Sequence, residues 1–187
     1  MILPIYIYGQ NVLRKVAQDI PADFPDLPAL ISDMFDTLTA SEGIGLAAPQ
    51  VGKDIRVVVI DLDVLADDMP EYKDFRKAFI NPHILEYDDN ETDTQEEGCL
   101  SLPGVHEKVT RPTRIKVRYE DADRQVHEEW VGGYLARVMQ HEFDHLEGKV
   151  FVDRISPFRK TMIKSKLKAL LQGRYHCGYR TKAALKR

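Results

Sequence analysis

The sequence predicts an α+β fold: antiparallel or mixed β-sheets packed around one central helix, with a further helix near the C-terminus. Three observations lead there. Apolar residues recur at helical spacing in three separate segments. Between them lie short β-branched or alternating runs that suit strands. The middle helical segment carries two histidines four residues apart, which marks it as the helix that holds the chemistry.

The elements follow in chain order. The apolar start, Met1 to Gly9, lacks a basic leader and a small-residue cleavage site, so it reads as a first strand or extended arm and not as a signal peptide. Leu27, Leu30, Ile31, Met34 and Leu38 fall on one face of a helix over 27–40, which Gly43 and Gly45 should end. Residues 55–62 form a β-branched run that suits a buried strand. Residues 61–78 are acidic and irregular and read as an exposed loop. Residues 79–85 are strand-like, with Pro82 at a bulge or edge. The acidic stretch 86–97 reads as a solvated loop or edge hairpin. Alternation over 113–119 continues in 125–131 across a turn at Asp121-Ala122-Asp123. Gly132-Gly133 then precedes a helix through about Leu146, with Gly148 placed to stop it. Ser156 and Pro157 suit the cap and first position of a last helix. Its apolar face would be Phe158, Met162, Ile163, Leu167, Leu170 and Leu171.

The length of 187 residues suits one domain. That domain is expected over 1–172, including the last helix at about 157–171, with a basic tail over 173–187. No apolar run is long enough to span a membrane, so no membrane association is expected and the cytoplasm is the expected compartment. Two cysteines, Cys99 and Cys177, do not make a disulfide scaffold. The net charge of −4 divides unevenly: residues 157–187 hold ten Lys or Arg and no acid, leaving −14 on the other 156 residues. The basic end reads as a solvated helix face plus a loose end, or as a contact for nucleic acid or an acidic surface. The acidic body lacks the basic, aromatic-interleaved face that a nucleic-acid-binding module needs.

His141-Glu142-Phe143-Asp144-His145 is the strongest local signal. Histidines at i and i+4 share one helix face, so both imidazoles can reach one metal ion. The glutamate beside them is placed to take a proton from a water at that metal. A hydrolytic site needs a third protein ligand. No Asp or Glu follows Asp153, and Phe151 stands where a third histidine of the extended His-x-x-Gly-x-x-His pattern would be. Cys99, in Glu97-Gly98-Cys99-Leu100-Ser101, is the natural candidate. A thiolate with two imidazoles suits divalent iron, zinc, cobalt or nickel.

Three motifs together resemble the peptide deformylase family. They are Gly43-Ile44-Gly45-Leu46-Ala47-Ala48-Pro49-Gln50, then Glu97-Gly98-Cys99-Leu100-Ser101, then Gln140-His141-Glu142-Phe143-Asp144-His145-Leu146-Glu147-Gly148. Weaker similarity lies at Leu13 to Ala17 and Ile80 to Pro82, and the resemblance spans roughly residues 2–172. It implies a metal-dependent hydrolase of protein biosynthesis that removes the N-formyl group from the N-terminal methionine of new polypeptides and releases formate. It implies Cys99, His141 and His145 as metal ligands, usually to ferrous iron, with zinc, nickel or cobalt able to take the same site. Glu142 would be the general acid and base, and the Gln50 amide and Leu100 backbone N–H the oxyanion hole. The peptide would add as a strand against Ile44, Gly45 and Gly98, with Tyr134, Arg137 and Val138 at pocket-lining positions. A monomer is expected, and in some members the basic C-terminal region implies docking on the ribosome.

Two departures stand out. His106 follows Pro103-Gly104-Val105 where some family members carry an arginine near the substrate. The stretch between the first two motifs is longer than in compact members, which the acidic segment 61–74 accounts for.

Overall fold

The structure is a computed structural model and describes residues 1–184. Five strands make one antiparallel sheet in chain order: β2 (Gly45–Ala47), β3 (Val57–Asp61), β4 (Arg76–Gly98), β5 (His106–Glu120) and β6 (Val126–Gly132). A separate pair joins β1 (Ile5–Tyr6) to β7 (Thr181–Lys182) in parallel. The helices are α1 (Leu27–Ala40), α2 (Gly133–Leu146), α3 (Pro157–Met162) and α4 (Lys164–Leu171). The α+β class expected from the sequence is therefore the observed one.

β3 shows why its sequence is apolar at every position from 57 to 60. Side chains alternate between the two faces of a strand. Val57 and Val59 enter one buried cluster with α1, while Val58 and Ile60 enter a second cluster with α2. A strand covered on both faces has little room for polar side chains. Its neighbour α2 supplies Ala136, Val138, Met139, Phe143 and Leu146 to the second cluster, against Phe79 of β4 and Ile115 and Val117 of β5. Each large apolar side chain buried this way stabilises the fold by about 1.5–3 kcal/mol.

Of the two readings of the acidic stretch 86–97, the edge hairpin is the observed one: it is the second half of β4, paired with β5 and not with β3. Charge explains the pairing. The register sets Glu86 opposite Lys116, Asp88 opposite Arg114, Asp93 opposite Arg111 and Glu96 opposite Lys108. Opposite charges facing across strands stabilise a sheet that composition alone does not separate from a solvated loop. The bulge expected at Pro82 is present as a register shift between Ile80 and His83.

Smaller corrections concern helix ends and loops. α1 stops at Ser41, and Gly45 opens β2 instead of ending the helix. Residues 61–78 hold two short 3-10 turns, Asp63–Leu65 and Pro70–Tyr72, and their last residues begin β4. Within this segment the Tyr72 hydroxyl accepts from the Leu135 N–H at 3.0 Å, meeting one of the unpaired donors in the first turn of α2. The last helix breaks at Ile163 into α3 and α4. Ser156 caps it as expected, accepting from the Arg159 N–H at 3.2 Å. Only Ile163, Leu167 and Leu170 of the expected apolar face are buried, whereas Phe158 and Met162 are 70% and 63% exposed. Between residues 173 and 184 the chain does not trail away as a loose end, because β7 is strapped beside β1. Among the described residues no helix is long and apolar enough to cross a membrane.

Candidate active site

β6 runs into α2 with no intervening loop. Gly133 makes the turn at a φ of +66°, a conformation that costs glycine little. The end of β4 arrives alongside and delivers Glu97, Gly98 and Cys99. The ligand atoms of Cys99, His141 and His145 all lie within 4.8 Å of one another. His145 Nε2 is 3.3 Å from Cys99 Sγ, and the two imidazole rings are 5.4 Å apart at near right angles.

This donor set fits a divalent metal of borderline softness. Metal ligation requires a thiolate. Burial would raise the Cys99 pKa, but His145 and His141 bring it down to about 5. His141 Nδ1 is 2.8 Å from Glu97 Oε1, which turns its other ring nitrogen towards the cluster. Such a carboxylate–histidine pair fixes the tautomer of a ligating imidazole.

Glu97 is held in turn by two arginines. Arg111 donates to both carboxylate oxygens, at 2.7 and 2.9 Å, and Arg137 donates at 2.6 Å. Burial opposes the ionisation of Glu97, but Arg111 and His141 overcome it and hold the carboxyl well below the usual range. Arg111 also donates to Asp144 at 2.9 Å, and Arg154 binds the same carboxylate. One buried network thus ties β4, β5 and the helix that carries both histidines. Removing one partner from a buried pair of this kind costs about 3–5 kcal/mol.

Glu142 is 5% exposed, and burial pushes its carboxyl up against the opposing pull of His141 and His145. Its Oε2 has no hydrogen-bond partner among the described residues. A buried carboxylate with an elevated pKa and a free oxygen suits proton transfer near neutral pH. The residue opposite is Gly45, where a Cβ would stand 2.6 Å from Glu142 Oε1. Gln50, in a 3-10 turn after β2, accepts from the Ala47 N–H at 2.9 Å through its carbonyl oxygen. That fixes the amide so that Nε2 donates towards Ser101 Oγ at 3.3 Å and Cys99 Sγ at 3.5 Å.

A cavity of about 440 Å³ opens onto this group. The expected substrate contacts Ile44, Gly45, Gly98, Tyr134, Arg137 and Val138 all line it, as do Gln50, Cys99, Leu100, His141 and Glu142. His145 is fully buried behind the lining. Arg137 lines the cavity while its guanidinium is engaged by Glu97, the Asp93 carboxylate and the Val109 carbonyl. His106 lines it too, and its ring would lie 2.8 Å from a Cβ at Gly98.

Glu97, Arg111, Asp144 and Ser101 are not singled out by the sequence. Glu97 and Ser101 bracket Cys99 within its motif, and Asp144 lies inside the histidine motif, so proximity is a usable signal for those three. Arg111 carries no local signal and enters only through strand pairing. The cavity also takes in His176, Cys177, Gly178 and Tyr179, which the sequence assigns to a tail.

Comparison with known proteins points to one family. A family model described as polypeptide deformylase matches residues 2–161. A peptide deformylase of Cytophaga hutchinsonii is 44% identical, over the full length of both chains. One from Christiangramia forsetii is 46% identical over 96% of this chain and 95% of its own. Among solved structures, a peptide deformylase from Thermotoga maritima superposes with a TM-score of 0.74 at 42% identity, covering 84% of this chain and 99% of its own. One from Legionella pneumophila gives 0.79 at 36% identity, covering 94% and 100%. Family model, relatives and fold agree, and the chain belongs to the polypeptide deformylase family.

Proposed function

We propose that this chain removes the formyl group from the N-terminal formyl-methionine of new polypeptides in the cytoplasm, with Cys99, His141 and His145 holding one divalent metal, ferrous iron in the first instance. The observation that carries the reading is the buried Glu142 carboxylate beside a Cys–His–His cluster, at the cavity that Gln50 and Leu100 line. The bound metal would supply Lewis acidity, lowering the pKa of a water and polarising the formyl oxygen.

The chain's own residues do the rest. Glu142 takes a proton from the attacking water as its oxygen bonds to the formyl carbon. The Gln50 amide and the Leu100 N–H donate to the oxygen on which negative charge grows. Loss of one such donor costs roughly 10²–10³ in rate in other hydrolases. Glu142 then passes its proton to the methionine nitrogen as the C–N bond breaks, leaving formate and a free amine. β2 pairs with β3 alone among the described strands. Its free edge at the cavity suits a peptide that binds as an added strand, past Ile44, Gly45 and Gly98. Tyr134, Arg137 and Val138 would line the methionine pocket. The basic face of α3 and α4 is proposed to dock on the ribosome. Reversing the exposed Lys160, Lys164, Lys166 and Lys168 should abolish co-pelleting with ribosomes if it does.

The test is formate release from formyl-Met-Ala-Ser by anaerobically purified, iron-loaded protein, beside Glu142→Ala and a chelated sample. Activity is expected in the first and in neither control. Absence of formate with iron, nickel or cobalt loaded would overturn the reading, as would equal cleavage of internal peptide bonds.

A further inference from the structure

The family model stops at residue 161, yet the chain beyond it returns to the cavity. After α4 the backbone crosses to β1. Ile5 N–H donates to the Arg180 carbonyl at 2.9 Å and Ile7 N–H to the Lys182 carbonyl at 3.0 Å. The Gln10 side chain donates to the Ala183 carbonyl at 2.8 Å. Tyr175 and Tyr179 pack against the α1-side cluster. This is a built attachment, and it sets residues 176–179 in the cavity wall beside Leu100.

Leu100 sits at a corner of the turn that follows β4. Three successive carbonyls of this turn each accept one hydrogen bond. The Cys99 carbonyl accepts from the Leu102 N–H at 2.9 Å and the Ser101 carbonyl from the Tyr8 N–H at 2.8 Å. The Leu100 carbonyl accepts from the Tyr179 hydroxyl at 2.8 Å. Two of the three donors therefore come from outside the turn: one next to β1, the other just before β7. The Leu100 N–H has no hydrogen-bond partner among the described residues, which leaves it to a ligand.

We propose that Tyr179 is a positioning residue for deformylation: by holding the Leu100 carbonyl it fixes where the turn, and with it the Leu100 N–H, stands at the cavity. The proposal rests on the oxyanion role of Leu100 given above. The Leu100 N–H lies in the rigid peptide plane of the Cys99 carbonyl, which the Leu102 N–H already orients; what the Tyr179 hydroxyl adds is an anchor on the next plane, so that the Leu100 Cα joining the two planes keeps its place at the cavity wall. Misplacement of a reacting group by 1 Å can cost about 10² in rate. A donor that is loosened but retained should lose less, about tenfold.

The experiment compares Tyr179→Phe with the unchanged full-length, metal-loaded protein. Tyr179→Phe keeps the packed ring and deletes only the hydroxyl. Four quantities are read: kcat, KM for formyl-Met-Ala-Ser, metal content with melting temperature, and amide exchange of residues 100–102. The expected result is a kcat lower by about tenfold with KM within about twofold. Exchange in the turn should quicken by about fivefold or more, while metal content and melting temperature hold. A kcat within twofold of the unchanged protein overturns the proposal, as does a loss that follows the metal content or the melting temperature. If the unchanged protein releases no formate, the proposed function fails by itself. Turn exchange then decides separately whether Tyr179 holds the turn, and unaltered exchange refutes that too.

Discussion

Gly45→Ala should disable the protein through one methyl group. A Cβ at position 45 would stand 2.6 Å from Glu142 Oε1, 2.8 Å from its Cγ and 2.9 Å from its Cδ. Ordinary contacts between such atoms begin at about 3.4 Å, so the carboxylate must move by roughly 0.8 Å. Swinging further into the cavity that Glu142 lines would equally carry the carboxylate out of its place beside the two histidines. A reacting group displaced by about 1 Å can lose 10² in rate, so kcat for formate release should fall by about 50–100-fold. Overpacking of this kind also costs about 1–3 kcal/mol, a melting temperature lower by roughly 2–12 °C for a chain of this length. The assay is steady-state formate release with metal content measured on the same samples. Gly132→Ala is the control, since among the described residues a Cβ there meets only the Thr113 carbonyl oxygen at 3.8 Å. Its kcat should stay within about twofold. If Gly45→Ala keeps half its kcat with a full complement of metal, the carboxylate does not need the position seen here, and the geometric argument for its role collapses.

Two further outcomes follow from the ion pairs. Glu97→Gln removes the carboxylate that orients His141, so competition with a chelator should show metal affinity weaker by about 10–100-fold; unchanged affinity would remove Glu97 from the metal's support. Asp153 pairs with Arg14, and although burial raises its pKa, that guanidinium holds it below the usual carboxylate value. A depressed folded-state pKa stabilises the fold above the unfolded value of about 3.9 and ceases to do so as pH falls through the folded value. Asp153→Asn should therefore melt about 2–4 °C lower at pH 7, for a partly exposed pair worth up to about 1 kcal/mol. The gap should close in acid, and a gap that persists at pH 2 would show that charge is not its source.

Much of the fold is legible in the sequence because it rests on local pattern. The stripe of Leu27, Leu30, Met34 and Leu38 and the unbroken apolar run of β3 are visible to anyone counting periods. The stretch 86–97 reads equally as a loop or an edge hairpin, and the sequence does not choose the hairpin because its stabilising charges lie on another strand and register is a long-range property. The last helix has a narrower apolar face than its sequence predicts because the break at Ile163 rotates Phe158 and Met162 away from the core. At the site, Cys99, His141 and His145 can be named because ligand chemistry restricts residue type. Arg111 cannot, because an arginine at a strand position looks like surface until its carboxylate partners are in view. Tyr179 escapes for a related reason, since a tyrosine in a basic tail announces nothing about the carbonyl it meets.

The pairing of Ile5 with Thr181 has a bearing on the order in which the fold closes. Contacts between residues so far apart in the chain close last, because loop entropy grows with the segment enclosed. The Cys–His–His cluster draws on residues 99 to 145 and encloses a shorter segment, so it can gather before β7 and Tyr179 are in place. Completion of the cavity wall is thereby tied to the last pairing to form.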